Sequence, residues 1–64
     1  MCLSTVYNQK NEKLAGNVAA VRAENGRVIF TDILGISTAV EGTIDSINLM
    51  ENLIYINQPS SASA

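Results

Sequence analysis

The dipeptide Asn25-Gly26 commits the middle of this chain to a β-hairpin. It stands between residues 21–23 and 27–31, two segments rich in apolar and β-branched side chains. Asn and Gly both tolerate the positive φ angles of a type I′ turn, and this pair between apolar segments is the strongest short-range hairpin signal. A helix that ends at Gly26 is the alternative for the first segment. The strand character of residues 27–34 favours the hairpin.

Short apolar segments separated by polar turns continue on both sides of this hairpin. Residues 2–7, 43–49 and 53–56 have the composition of strands, whereas residues 8–13 and 50–52 have that of turns. Five or six short strands with turns about every eight to twelve residues indicate a small barrel or sandwich. We therefore predict an all-β chain.

Two segments leave a helix open as an alternative. Residues 14–24 place apolar side chains on one helical face, yet they equally fit a half-buried strand. Residues 36–47 also carry an apolar stripe at helical spacing. That stretch contains Gly42 and is rich in Ile, Thr and Val, which are weaker helix formers, so we expect two short strands there.

The folded domain is predicted to span residues 1–57. Residues 58–64 read Gln-Pro-Ser-Ser-Ala-Ser-Ala, and such a segment cannot bury enough apolar surface to order itself. We expect a disordered polar tail there, either native or added for expression.

The small size of the chain predicts a homodimer. A domain of 64 residues buries only about 60% of the surface that its unfolded chain exposes, so it is marginally stable alone. A single cysteine, Cys2, cannot close an internal disulfide, and the absence of histidine excludes a Cys/His zinc site within one chain. An efficient small core or a partner subunit remains, and of these we expect a homodimer.

Charge and hydropathy argue against several classes of partner. The net charge is −2, with four basic and six acidic residues, and this gives no basic surface for a nucleic acid. No apolar run approaches the ~20 residues that cross a bilayer, and no signal peptide is evident. With its unpaired thiol, the chain is expected in the reducing cytoplasm, with no membrane partner.

The sequence offers little catalytic machinery, so we do not expect an enzyme. There is no histidine for general base catalysis and no phosphate-binding loop. Glu41, Asp45 and Glu51 are expected on solvated strand edges and turns. Asp32 lies in an apolar run, where its carboxylate would need backbone or hydroxyl partners. A structural role is expected for Asp32.

Cys2 has two interpretations. The first is a small apolar residue that opens a strand by chance. The second is a metal chelate formed by the Cys2 thiolate with the Cys2 amide or with the terminal amine, which belongs to Cys2 if Met1 is removed and to Met1 if it is retained. One chain offers only two or three such ligands, and two adjacent chains would supply two sulfurs and two nitrogens. Square-planar coordination of this kind suits Ni(II) or Cu(II), whereas tetrahedral thiolate sites favour zinc.

The sequence resembles the CooT family of small nickel-binding proteins. The resemblance rests on Cys2 after the initiator, on Thr-Asp-Ile-Leu-Gly at residues 31–35, and on Gly-Thr-Ile-Asp-Ser-Ile-Asn-Leu-Met-Glu-Asn at residues 42–52. It extends from Met1 to about Ile56 and omits the Ser/Ala tail. The Met-Cys start, the domain length and the later Ile-Asp-x-Ile-x-Leu pattern are specific only in combination.

The resemblance implies a fold, an assembly and a ligand. The fold is a small β-barrel, which we take as a five- to seven-stranded SH3-like barrel. The assembly is a homodimer that holds one Ni(II) at its interface through Cys2, with Met1 as the neighbouring ligand position. Members are proposed as nickel chaperones in the maturation of carbon monoxide dehydrogenase, and the family has also been labelled RNA-binding.

Two functions from different classes therefore remain. The first is a nickel-binding accessory protein that serves a nickel enzyme such as carbon monoxide dehydrogenase. The second is a small β-barrel module that binds a protein partner or RNA without metal. An RNA site would require Lys10, Lys13, Arg22 and Arg27 to cluster. A protein partner could add a strand to an exposed edge.

Overall fold

The computed structural model describes residues 2–59. Within these residues the chain forms six β-strands, so the all-β prediction is confirmed. Their bounds are β1 Ser4–Asn8, β2 Lys13–Glu24, β3 Arg27–Asp32, β4 Ser37–Glu41, β5 Thr43–Asn48 and β6 Leu53–Asn57. No helix in this part of the chain is long and apolar enough to cross a membrane.

The six strands form one sheet in the order β4-β3-β2-β1-β6-β5. All neighbouring strands are antiparallel except β1 and β6, which run parallel. The two edge strands, β4 and β5, are joined by the single residue Gly42, but they do not pair with each other. The strand count lies within the predicted range. The predicted closed SH3-like barrel is not confirmed, because the hydrogen-bonded sheet is open.

Strand β2 is long because its two halves pair with different neighbouring strands. Its first half pairs with β1, where Ser4 lies opposite Val18, and its second half pairs with β3, where Asp32 also lies opposite Val18. Asn17, just before this point, has a φ of 52°. The register with β1 shifts between Ala15 and Val18, and the register with β3 shifts between Val18 and Ala20. Bulges of this kind bend a strand and increase its twist. Residues 14–24, for which the sequence allowed either a helix or a strand, therefore form a strand.

The predicted hairpin at Asn25-Gly26 is confirmed. Glu24 pairs with Arg27, and the two turn residues have φ angles of 49° and 75°, as a type I′ turn requires. The Gly26 carbonyl oxygen also accepts a hydrogen bond from the Gly42 amide at 3.0 Å. The hairpin tip therefore anchors the point at which the chain passes from β4 to β5.

Alternating residues of the strands build the core. Val28 and Phe30 in β3 and Ile54 and Ile56 in β6 are buried, whereas the residues between them are less so. Val6 and Val18 complete the buried hydrophobic set of the described residues. Burying one such side chain fully contributes roughly 1.5–3 kcal/mol relative to leaving it exposed. A core of six side chains is small, as expected for a chain of this length.

Two turns are organised by asparagine side chains. Asn8 is buried; its Oδ1 accepts hydrogen bonds from the amides of Lys10 and Glu12, both at 2.9 Å. Asn48 Oδ1 accepts one from the Glu51 amide at 3.0 Å. Asx side chains that bond the backbone in this way stabilise turns locally. The predicted turn at residues 50–52 is confirmed within a turn of residues 49–52.

The predicted domain end at residue 57 coincides with the last residue of β6. Beyond it, Gln58 still bonds the fold: its side-chain oxygen accepts a hydrogen bond from Asn8, and its amide donates one to Gln9 Oε1. Residues 60–64 lie outside the described part of the chain. The disordered tail stays a prediction.

We predict that Gly42→Ala destabilises the fold far more than Gly26→Ala. A Cβ at Gly42 would lie 2.5 Å from the Asn57 carbonyl oxygen at a φ of 142°, whereas a Cβ at Gly26 would meet open space at a φ of 75°. We expect urea denaturation to show a loss of about 3 kcal/mol for Gly42→Ala and about 1 kcal/mol for Gly26→Ala. Equal losses would contradict the close approach at Gly42.

Candidate metal centre

Cys2 lies just ahead of β1 and is exposed as a free thiol. The chain after it enters the sheet at once: Leu3 is half-buried, and the Thr5 amide donates a hydrogen bond to the Asn52 carbonyl oxygen at 3.0 Å. Cys2 is thus held close to a well-defined strand start. Solvent and other molecules can reach its sulfur.

The β5–β6 turn lies beside this chain start. β1 and β6 are parallel, with Thr5 opposite Leu53, so the segment before β1 and the turn before β6 leave the sheet at the same end. Asn48 Nδ2 also donates to Glu51 Oε1 at 3.2 Å, and Asn52 closes the turn with a φ of 57°. Leu49 and Met50 are 81% and 95% exposed in this turn.

One chain offers few metal ligands. Among residues 2–59, no group of three or more His, Cys, Asp or Glu side chains could hold a metal ion. Cys2 can contribute its thiolate and a backbone nitrogen, in a ring small enough to chelate. Met1, the other predicted ligand position, lies outside the described residues. A chelate at Cys2 therefore needs ligands beyond the side chains of this part of the chain.

A comparison with known protein families includes the segment that contains Cys2. The model of the family described as CO dehydrogenase accessory protein CooT matches residues 1–57 of the chain. The chain belongs to the CooT family. The match covers all six strands and Cys2, and it confirms the resemblance seen in the sequence. The name of the CooT family assigns it an accessory role toward CO dehydrogenase. No curated protein shows a significant match.

Among residues 2–59 the acidic side chains do not form a cluster that could hold a metal ion. Glu41, Asp45 and Glu51 are exposed, as predicted. Asp32 is half-buried, and its Oδ1 accepts hydrogen bonds from the amides of Leu34 and Ile36, both at 2.9 Å. This carboxylate holds the β3–β4 turn together. The predicted structural role of Asp32 is confirmed.

The basic residues are divided between the two ends of β2. Lys10 and Lys13 flank its start, whereas Arg22 and Arg27 flank the β2–β3 turn. Arg22 also forms an exposed ion pair with Glu24, with Nε and Oε2 3.4 Å apart. An RNA backbone requires a continuous basic surface, and these four positions do not form one.

The exposed aliphatic side chains of two turns were not predicted from the sequence. Ile33, Leu34 and Ile36 surround the β3–β4 turn at 52%, 80% and 61% exposure, and Leu49 with Met50 forms the tip of the β5–β6 turn. Large contiguous apolar patches on a monomer mark interaction surfaces, whereas single exposed apolar side chains are common. The sequence signal for this exposure was an apolar pair, residues 49–50, between the polar residues Asn48 and Glu51.

We predict that Asp32→Ala loosens the β3–β4 turn, whereas Asp32→Asn preserves it, because Asn keeps the Oδ1 acceptor. Removing two exposed hydrogen bonds should lower the free energy of unfolding by about 1–2 kcal/mol. Amide hydrogen exchange gives the local measurement: the Leu34 and Ile36 amides should exchange faster in Asp32→Ala only. Equal exchange rates of these two amides in both variants would exclude the Oδ1 acceptor at position 32 as the organiser of this turn.

Proposed function

We propose that this chain is a nickel-binding accessory protein, a nickel chaperone, that holds one Ni(II) per homodimer through Cys2. The membership of the CooT family carries the proposal, because the family is named for an accessory role toward CO dehydrogenase. The exposed thiol of Cys2 supports it, since thiolate is a strong ligand for late first-row metals. Nickel is here the cargo, and CO dehydrogenase is the proposed recipient.

The proposed ligand set is shared by two chains. Each contributes the Cys2 thiolate and one nitrogen, either the Cys2 amide or the terminal amine, which completes a square of two sulfurs and two nitrogens. Such a planar set suits Ni(II), whereas tetrahedral thiolate sites favour zinc. Sharing also explains why residues 2–59 of one chain contain no complete cluster of ligating side chains.

In this proposal the chain works in the cytoplasm and carries a metal without acting as an enzyme. A free, exposed thiol is maintained in a reducing compartment. The same exposure suits a metal that must be passed on, because a recipient can approach the sulfur directly. The metal is carried, and no substrate is transformed in this scheme.

We predict that Cys2→Ser abolishes tight nickel binding without unfolding the protein. Titration with Ni(II), followed by thiolate-to-metal charge-transfer absorption, should show one metal per two wild-type chains. Cys2→Ser should weaken binding by more than about a hundredfold, since loss of a direct ligand exceeds the effect of losing its supporting contacts. Its free energy of unfolding should change by about 0.5 kcal/mol or less.

A matched control moves the thiol elsewhere. Cys2→Ser combined with Ser46→Cys restores one exposed thiol, now in β5, and should not restore nickel binding. Unchanged affinity in Cys2→Ser, or recovery in the double variant, would argue that position 2 has no special role.

We also predict that nickel affinity rises with pH in the wild-type protein. The thiolate is the ligand form, so binding releases protons and is favoured as the proton concentration falls. Titrations over a pH series, with proton release measured by calorimetry in buffers of different ionisation enthalpy, provide the check. An affinity independent of pH would count against thiolate ligation.

A single residue added before Met1 identifies the nitrogen ligand. The extension moves the terminal amine away from the sulfur but leaves the Cys2 amide in place. A severe loss of nickel affinity assigns the amine, and a mild one assigns the amide.

A further inference from the structure

Asn25 and Gly26 form the tip of the β2–β3 hairpin, and both residues are exposed. Asn25 is the only asparagine of the chain that a glycine follows. A Cβ built on Gly26 would meet no atom within 4 Å, so the space beside this glycine is open to solvent. The turn therefore places an exposed carboxamide next to a backbone nitrogen that no side chain shields.

The Gly26 amide is also free of a backbone partner. In a two-residue hairpin the ladder hydrogen bonds join the residues that flank the turn, here Glu24 and Arg27. Within residues 2–59 the Gly26 carbonyl oxygen accepts a hydrogen bond from the Gly42 amide at 3.0 Å, whereas the Gly26 amide donates none to the backbone. Its nitrogen can lose its proton and act as a nucleophile without breaking a bond of the sheet.

We propose that Asn25 is a site of spontaneous deamidation, at which the folded chain acquires an aspartyl or isoaspartyl residue. The Gly26 nitrogen gives its proton to solvent and attacks Asn25 Cγ. The new N–Cγ bond closes a five-membered succinimide, and the bond from Cγ to the side-chain nitrogen breaks as ammonia leaves. Water then opens the ring at Cγ, which gives aspartate, or at the main-chain carbonyl carbon, which gives isoaspartate. The reaction consumes one water, releases one ammonia and needs no oxidant or reductant.

Other turn asparagines lack this combination of features. Asn11, Asn17 and Asn52 also have positive φ angles, of 62°, 52° and 57°, but each is followed by a residue that carries a side chain. Val18, after Asn17, is buried. The Glu12 amide, after Asn11, donates a hydrogen bond to an asparagine side-chain oxygen at 2.9 Å. The glycine and its free amide, and not the positive φ alone, distinguish Asn25.

The two products differ in their effect on the fold. Isoaspartate inserts one methylene into the main chain between residues 25 and 26, which displaces the Gly26 carbonyl oxygen from the Gly42 amide. Gly42 is the single residue between β4 and β5, so the modification loosens the passage from one edge strand to the other. Aspartate keeps the main chain unchanged. Both products add one negative charge beside Glu24, in a chain whose net charge is −2.

Incubation of the folded wild-type protein at mildly alkaline pH, followed by peptide mapping with mass spectrometry, tests the site. We expect first-order modification of Asn25 that accelerates as the pH rises, while Asn52, which precedes Leu53, stays intact. A protein isoaspartate methyltransferase should label the aged chain in the peptide that contains residue 25. Gly26→Ala should slow the reaction by roughly tenfold, a rise of about 1.4 kcal/mol in its barrier, because the added Cβ crowds the attacking nitrogen. If circular dichroism shows that this variant does not fold, Asn25→Gln replaces it, since glutamine must close a six-membered ring.

Asn25→Asp separates the added charge from the added methylene. Amide hydrogen exchange should show a faster Gly42 amide in the isoaspartyl form, isolated by chromatography, and an unchanged Gly42 amide in Asn25→Asp. An intact Asn25 in the folded protein, under conditions that modify the urea-unfolded chain, would overturn the proposal. Equal modification at Asn52, or an unchanged rate in folded Gly26→Ala, would do the same. An isoaspartyl form with unchanged exchange at Gly42 would overturn the link to the β4–β5 passage.

Discussion

The bend of β2 at Asn17 and Val18 is the constraint on which the rest of the sheet depends. Val18 is buried and lies opposite both Ser4 and Asp32, so β1 and β3 meet the same strand at one point from opposite sides. A straight strand of twelve residues would carry its neighbours into a flat sheet with two exposed faces. The bulges turn the sheet so that Val6, Phe30 and Ile56 can pack into one small core.

The position of the candidate site follows from the same topology. A parallel pair requires that both strands begin at the same end. Because β6 is preceded by a tight turn and β1 by the start of the chain, Cys2 and the Leu49–Met50 pair share that end. The family match extends over both elements. Backbone pairing thus places an exposed thiol and an exposed apolar turn at the same end of the sheet.

Local features of this fold were predictable, whereas long-range pairing was not. Asn25-Gly26 specifies its turn through the φ angles that these residues tolerate, and Asp32 could be assigned a structural role from its apolar context. The ambiguity of residues 14–24 had a physical cause: β2 is irregular at its bulges, so its pattern departs from strict alternation. The parallel pairing of β1 with β6 left no local signal, since it depends on contacts between residues some fifty positions apart. The position of Leu49 and Met50 at the same end of the sheet as Cys2 could therefore not be predicted either.

A site divided between two chains has a consequence for metal transfer. In the proposed dimer, nickel binds the assembled pair and not the single chain, so metal and partner copy stabilise each other by mass action. A recipient protein that displaces one thiolate weakens both the chelate and the association of the two chains. Because each chain alone supplies too few ligands, displacement of one thiolate gives the loaded dimer a route to release its metal.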